Sequence, residues 1–170
     1  MGTVTHEFFP SSAQPLASTN YPALLNKAGS AFPQEVLAFD ATTDESCFFK
    51  FNATNYGSGD LTLRIRWYAD TGSSANVVWG AAIAAITPNT DTQDAETKAF
   101  GTANTVQDTH LGTTAQRLHE AVITITNTDS IAAGDEVALK LYRDADGTAA
   151  TDDFAGDANV TSVILEYSDT

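Results

Sequence analysis

The sequence predicts an all-β fold, an antiparallel eight-stranded jelly-roll β-sandwich with an extended N-terminal arm. Three observations carry that reading. Apolar and polar residues alternate through several runs, the joins are rich in Gly, Asn, Asp, Ser and Thr, and little of the chain reads as helix. The 170 residues make one ordinary domain, long enough to bury about two thirds of the surface its unfolded chain exposes. An apolar content of 42% is that of a packed core rather than a disordered chain.

Residues 1–34 stand apart, because four of the five prolines lie there and no periodicity is sustained. Each proline removes a backbone donor and biases the residue before it toward extended geometry. The expectation is an arm with one helical turn at Pro22–Lys27, packed along the domain or laid on a neighbouring subunit, followed by a sandwich over 35–170. Leu37 and Phe39 mark a short first strand, and Cys47, Phe49 and Phe51 the inner face of a second. Leu61 to Trp67 alternates without a break and forms the third. Asn76 to Ile86 is nearly all apolar, but Gly80, the valines and Pro88 favour a strand buried on both faces over a helix. Thr97 to Val106 reads as a weak edge strand. Ala121, Ile123 and Ile125 define the sixth strand, Val137, Leu139 and Leu141 the seventh, and Val163, Leu165 and Tyr167 the eighth. Loops are expected at 55–60, 70–75, 87–96, 127–135 and 144–158.

A jelly roll places the third strand between the eighth and sixth, and the second beside the seventh. Arg64 and Arg66 then share an outer face with Glu120 and Glu166 as cross-strand pairs of opposite sign, and Phe48 and Lys50 share one with Lys140 and Tyr142.

The catalytic inventory is thin. A formal charge of −14 without a basic stripe argues against nucleic acid as a partner. No stretch approaches the length of a membrane-spanning apolar helix, and no secretory signal is visible at the N-terminus. The single cysteine, Cys47, excludes an internal disulfide and reads as a buried thiol. His119-Glu120 begins like a zinc-protease helix, but Ile123 occupies the position that needs the second histidine. Glu120 and Glu166 could in principle serve glycoside hydrolysis, yet their flanking arginines would hold both ionised, which favours a plain ion pair. No catalytic residue and no cofactor are assigned. The acidic loop bearing Asp144, Asp146, Asp152 and Asp153 offers calcium candidates, although Gly147 falls at the wrong position for an EF-hand and a solvated turn is the simpler reading.

Phe48, Tyr68 and Tyr142 fall on outward registers, and Phe8 and Phe9 sit in the arm. Outward aromatics cover a sugar ring, bury under a neighbouring subunit or shield a sheet. A wider likeness bears on that choice. The segments Val36-Leu37-Ala38-Phe39-Asp40, Asn55-Tyr56-Gly57-Ser58-Gly59-Asp60-Leu61-Thr62-Leu63 and Asn76-Val77-Val78-Trp79, with Ala133-Gly134-Asp135, Leu141 to Asp146 and Val163 to Tyr167, resemble small β-sandwich virion structural proteins of tailed bacteriophages. The resemblance covers residues 35–167 and implies a capsid decoration (cement) or head-fibre component. Such a protein would sit on the virion surface, bind the major capsid protein lattice and form a homotrimer. Phe8, Phe9, Tyr21, Phe48 and Tyr142 would be its interface residues. The alternative is a carbohydrate- or receptor-binding sandwich, for which exposed aromatics and a loop calcium would serve.

Overall fold

A computed structural model describes residues 2–15 and 19–170; Met1 and residues 16–18 of the expected arm lie outside the described residues. Among the described residues there are eleven strands: β1 Thr3–Phe8, β2 Gln14–Pro15, β3 Ala23–Lys27, β4 Gln34–Phe39, β5 Glu45–Asn52, β6 Leu61–Ala69, β7 Asn76–Ile86, β8 Asn104–Thr109, β9 His119–Ile125, β10 Glu136–Arg143 and β11 Ala158–Ser168. They form two antiparallel sheets in a jelly-roll-like sandwich. One has the order β3-β4-β11-β6-β9, with β1 also paired to β11, and the other has the order β2-β5-β10-β7-β8.

All eight expected strands are present, as β4 to β11, and β6 lies between β11 and β9 while β5 lies beside β10. The three additional strands come from the proline-rich start of the chain, which corrects the expected strand count. Pro22–Lys27 was expected to hold a helical turn; Ala23–Lys27 is instead a strand, paired with β4 from Ala23↔Ala38 to Lys27↔Gln34. β1 runs antiparallel to the end of β11, from Thr3↔Ser168 to Phe8↔Val163. The N-terminal segment is therefore extended, as expected, and is built into both sheets. The expected edge strand at 97–106 begins only at Asn104.

The core follows from the alternation. Leu61, Leu63, Ile65 and Trp67 of β6 point inward against Cys47, Phe49 and Phe51 of β5 and Val137, Leu139 and Leu141 of β10. Trp67 and Trp79 are both fully buried, with ring centroids 6.0 Å apart, and Phe39 stands perpendicular to Trp79 at 5.2 Å. Burial pushes the Cys47 thiol well above its ordinary range, as expected of an inert core cysteine. β7 is buried on both faces because one face lines the core while the 87–103 loop folds back over part of the other, its Gly101 N–H donating to the Ile83 carbonyl at 2.9 Å.

Candidate functional site: the outer face of the second sheet

β5, β10 and β7 pair in register, so their outward residues form cross-strand rows. Phe48, Lys140 and Ala82 make one row, Lys50, Ala138 and Ala84 the next, and Ser46, Tyr142 and Gly80 another. Small residues on β7 keep that side of the face low, and larger side chains of β10 and β5 rise beyond it. Tyr142 uses that depression. A Cβ at position 80 would collide with its ring, so only glycine lets the phenol lie across β7. Burial, reinforced by the carboxylates of Asp144 and Asp44, raises the Tyr142 phenol above its ordinary range and keeps its hydroxyl protonated.

The returning loop supplies the second wall. Lys98 N–H donates to the Asp94 carbonyl at 2.9 Å, and the Lys98 ammonium meets the Asp129 carboxylate at 3.0 Å. This fixes Phe100 with its ring centroid 5.7 Å from that of Phe48, tilted by 42°. Beside this contacting pair lies a groove of about 310 Å³, lined by both rings and by Pro15, Ala84, Ala138 and the Lys50–Glu136 pair. The arrangement offers apolar ring faces beside polar hydrogen-bonding ends, which is what recognition of an amphipathic ring requires.

The residues singled out from the sequence are sorted by the fold. Phe48 and Tyr142 are half-buried on this face together with Lys50 and Lys140, as the strand order required. Phe100, absent from the expected site, joins them because the loop carries it back over the sheet; no alternation marks it. Tyr68 is a correction, since it keeps its outward register but is only 7% exposed. So is Phe8, expected to bury in a neighbour: it is 8% exposed and packs on Phe49 at 5.0 Å, in this chain's own core. Phe9 and Tyr21 are exposed, away from the groove.

Glu120 and Glu166 lie on the outer face of the other sheet in the expected ion pairs. Arg64 Nε donates to Glu166 Oε2 at 3.0 Å, and Arg64 and Arg66 each donate to Glu120 at 3.2 Å. Both carboxylates are engaged by guanidinium groups, which ties the three strands together across this face.

The acidic loop divides in two. Asp144 and Asp146 converge with Asp44, their carboxylate oxygens within 4.8 Å of one another. Burial alone would raise the Asp144 carboxyl, but donation from the Ala149 N–H and the Thr148 hydroxyl outweighs it and holds the group below its ordinary range. Asp152 and Asp153, the other two calcium candidates, are corrected to structural roles. Asp152 is locked to Arg143 and to the Val78 N–H, and Asp153 accepts from the Asn76 N–H at 2.7 Å.

No family model matches the sequence, and a search of curated proteins finds no match. Solved structures do match in shape. A family 35 carbohydrate binding module from an environmental isolate superposes with a TM-score of 0.52 at 13% identity, covering 94% of this chain and 91% of its own. The CBM36-1 domain of a multidomain xylanase from the hindgut metagenome of Trinervitermes trinervoides gives 0.50 at 11% identity, over 95% and 96% of the two chains. An exo-beta-1,3-galactanase from Phanerochaete chrysosporium gives 0.51 at 10% identity, with 95% of this chain matching 29% of the enzyme.

The likeness is one of fold. It corrects the functional expectation all the same. The solved structures it resembles include carbohydrate-binding modules, and Phe8, one of the residues with which the arm was to grip a capsid, is spent inside the sandwich. The capsid decoration expectation is overturned.

Proposed function

We propose that this chain is a non-catalytic carbohydrate-binding module whose binding surface is the outer face of the second sheet. The observation that carries this reading is the groove bordered by the contacting Phe48–Phe100 pair over a floor of Ala84 and Ala138. Ring C–H groups of a sugar pack on the aromatic faces, while Gln14, Lys50, Glu136 and Glu96 at the margins supply partners for hydroxyl groups. The fold shared with carbohydrate-binding modules supports the same reading. Co-sedimentation with insoluble polysaccharides and mobility retardation in gels cast with soluble ones provide the test. Retention by at least one polysaccharide, lost in both Phe48→Ala and Phe100→Ala, is the expected result. Retention unaffected by both substitutions would refute this location.

A second reading concerns the Asp44, Asp144 and Asp146 group, whose converging carboxylates favour calcium as an accessory ion. Calcium binding to the folded state alone would raise the melting temperature by mass action. The rise should disappear in Asp146→Asn, which removes an exposed carboxylate without opening the core.

A further inference from the structure

The chain carries only four lysines against 22 acidic side chains, and three of the four, Lys50, Lys98 and Lys140, stand on the face described above. Two of these are already neutralised. Lys50 pairs with Glu136 at 3.1 Å and Lys98 with Asp129 at 3.0 Å. Lys140 makes no ion pair among the described residues. It is the cross-strand neighbour of Phe48, and its ammonium lies 5.2 Å from the centroid of the Tyr142 ring. The face therefore holds a half-buried cation, positioned by an aromatic ring beside the wall of the groove, on a molecule of net charge −14.

An ammonium held this way keeps donors free for a ligand, because a ring face accepts the cation without neutralising it. We infer that the ligand of this face is an anionic polysaccharide, with one sugar ring against Phe48 and that residue's carboxylate or sulfate group on Lys140. The inference rests on the carbohydrate-binding reading and adds to it the charge of the ligand. Glu96 at the groove margin and the Asp44–Asp144 group near Tyr142 bound the favourable region on two sides, so the anion belongs at Lys140 and not further along either strand. Overall repulsion from an acidic protein weakens every polyanion, so binding requires the ring contact on Phe48 together with the local cation Lys140.

Gels cast with polygalacturonate, fully methyl-esterified pectin, a sulfated galactan or poly-glutamate test this on the full chain. The first two share a sugar backbone and differ in charge. Retardation by polygalacturonate or the sulfated galactan, but by neither the esterified pectin nor poly-glutamate, is expected, and the arm that responds identifies carboxylate or sulfate as the anion. Affinity should fall roughly tenfold in Lys140→Gln, about the worth of one charge-assisted hydrogen bond. It should be kept in Lys140→Arg and in Lys27→Gln on the other sheet. Equal binding of free and esterified pectin, or no loss in Lys140→Gln, overturns the inference while leaving a carbohydrate-binding face in place. Equal retardation by poly-glutamate overturns it as mere charge attraction, and failure of every neutral and anionic polysaccharide overturns both readings.

Discussion

The ring of Tyr142 rests against the backbone of Gly80, in the space a side chain at that position would occupy. The two residues are cross-strand partners in β10 and β7, so the contact fixes the tyrosine beneath the Lys140 ammonium. Gly80→Ala should overpack this spot and cost about 1–3 kcal/mol, read as a lower urea midpoint at unchanged slope. Tyr142→Ala removes the obstruction, so the alanine at position 80 should cost far less in that background. An additive double variant would contradict the contact.

Arg143 and Asp152 form the one ion pair with both partners essentially inaccessible to solvent among the described residues. Nε donates to Oδ2 at 2.9 Å and Nη2 to Oδ1 at 2.8 Å, while the guanidinium also donates to the carbonyls of Phe39, Phe154 and Gly156. Asp152→Ala leaves a buried unpaired cation and should cost about 3–5 kcal/mol. Combining Arg143→Met with Asp152→Leu should recover part of that loss and no more, because three carbonyls then lose their donor. Chemical denaturation of the three variants measures both effects.

His119 and His110 pack with ring centroids 4.5 Å apart, beside Trp67 and Phe154, and the Nε2 atom of each is buried without a partner. Burial lowers the His119 pKa below 6.5; His110 and Arg117 lower it further, and Asp108 opposes them. Burial also lowers the pKa of His6, whose ring meets the Tyr167 hydroxyl at 3.0 Å. A histidine with a lowered folded-state pKa binds its proton less readily than the unfolded chain does. Stability is then undiminished above about pH 6.5 and falls as the pH drops through that value toward the folded-state pKa. Melting temperature should decline between about pH 7 and 5, and the decline should flatten in His119→Gln. A profile unchanged by that substitution would assign the loss to other groups.

Much of this architecture is written in the alternation of the sequence, and what escapes has identifiable causes. Leu61 to Trp67 announces β6, and the strand order of a jelly roll then brings Arg64 to Glu120 and Glu166, where it is found. β1 alternates too, with Val4, His6 and Phe8 on its inner side, but a histidine in the middle disguises the pattern. β3 is exposed along most of its length and is held by backbone pairing and the Lys27–Asp70 ion pair, so no burial pattern marks it. Phe48 and Tyr142 are legible as outward positions because register decides them. Phe100 reaches the same face through a loop whose return path depends on tertiary contacts such as Lys98–Asp129.

Calcium titration followed by thermal melting separates the two halves of the acidic loop. Asp146→Asn should abolish any calcium-induced rise while leaving the calcium-free melting temperature nearly unchanged, because Asp146 is exposed. Asp153→Asn should leave the calcium response intact, since that carboxylate serves the Asn76 N–H. Loss of the response in both variants would contradict this division.

The most direct test of the central claim is to map bound sugar onto the fold. Amide spectra of isotopically labelled protein, titrated with galacturonate, xylan and galactan oligosaccharides, report which residues feel a ligand. Shifts concentrated at Ser46–Lys50, Gly80–Ala84, Lys98–Gly101 and Ala138–Tyr142 are the result predicted. Shifts confined to the Arg64, Glu120 and Glu166 face, or no response to any of the oligosaccharides, would contradict it.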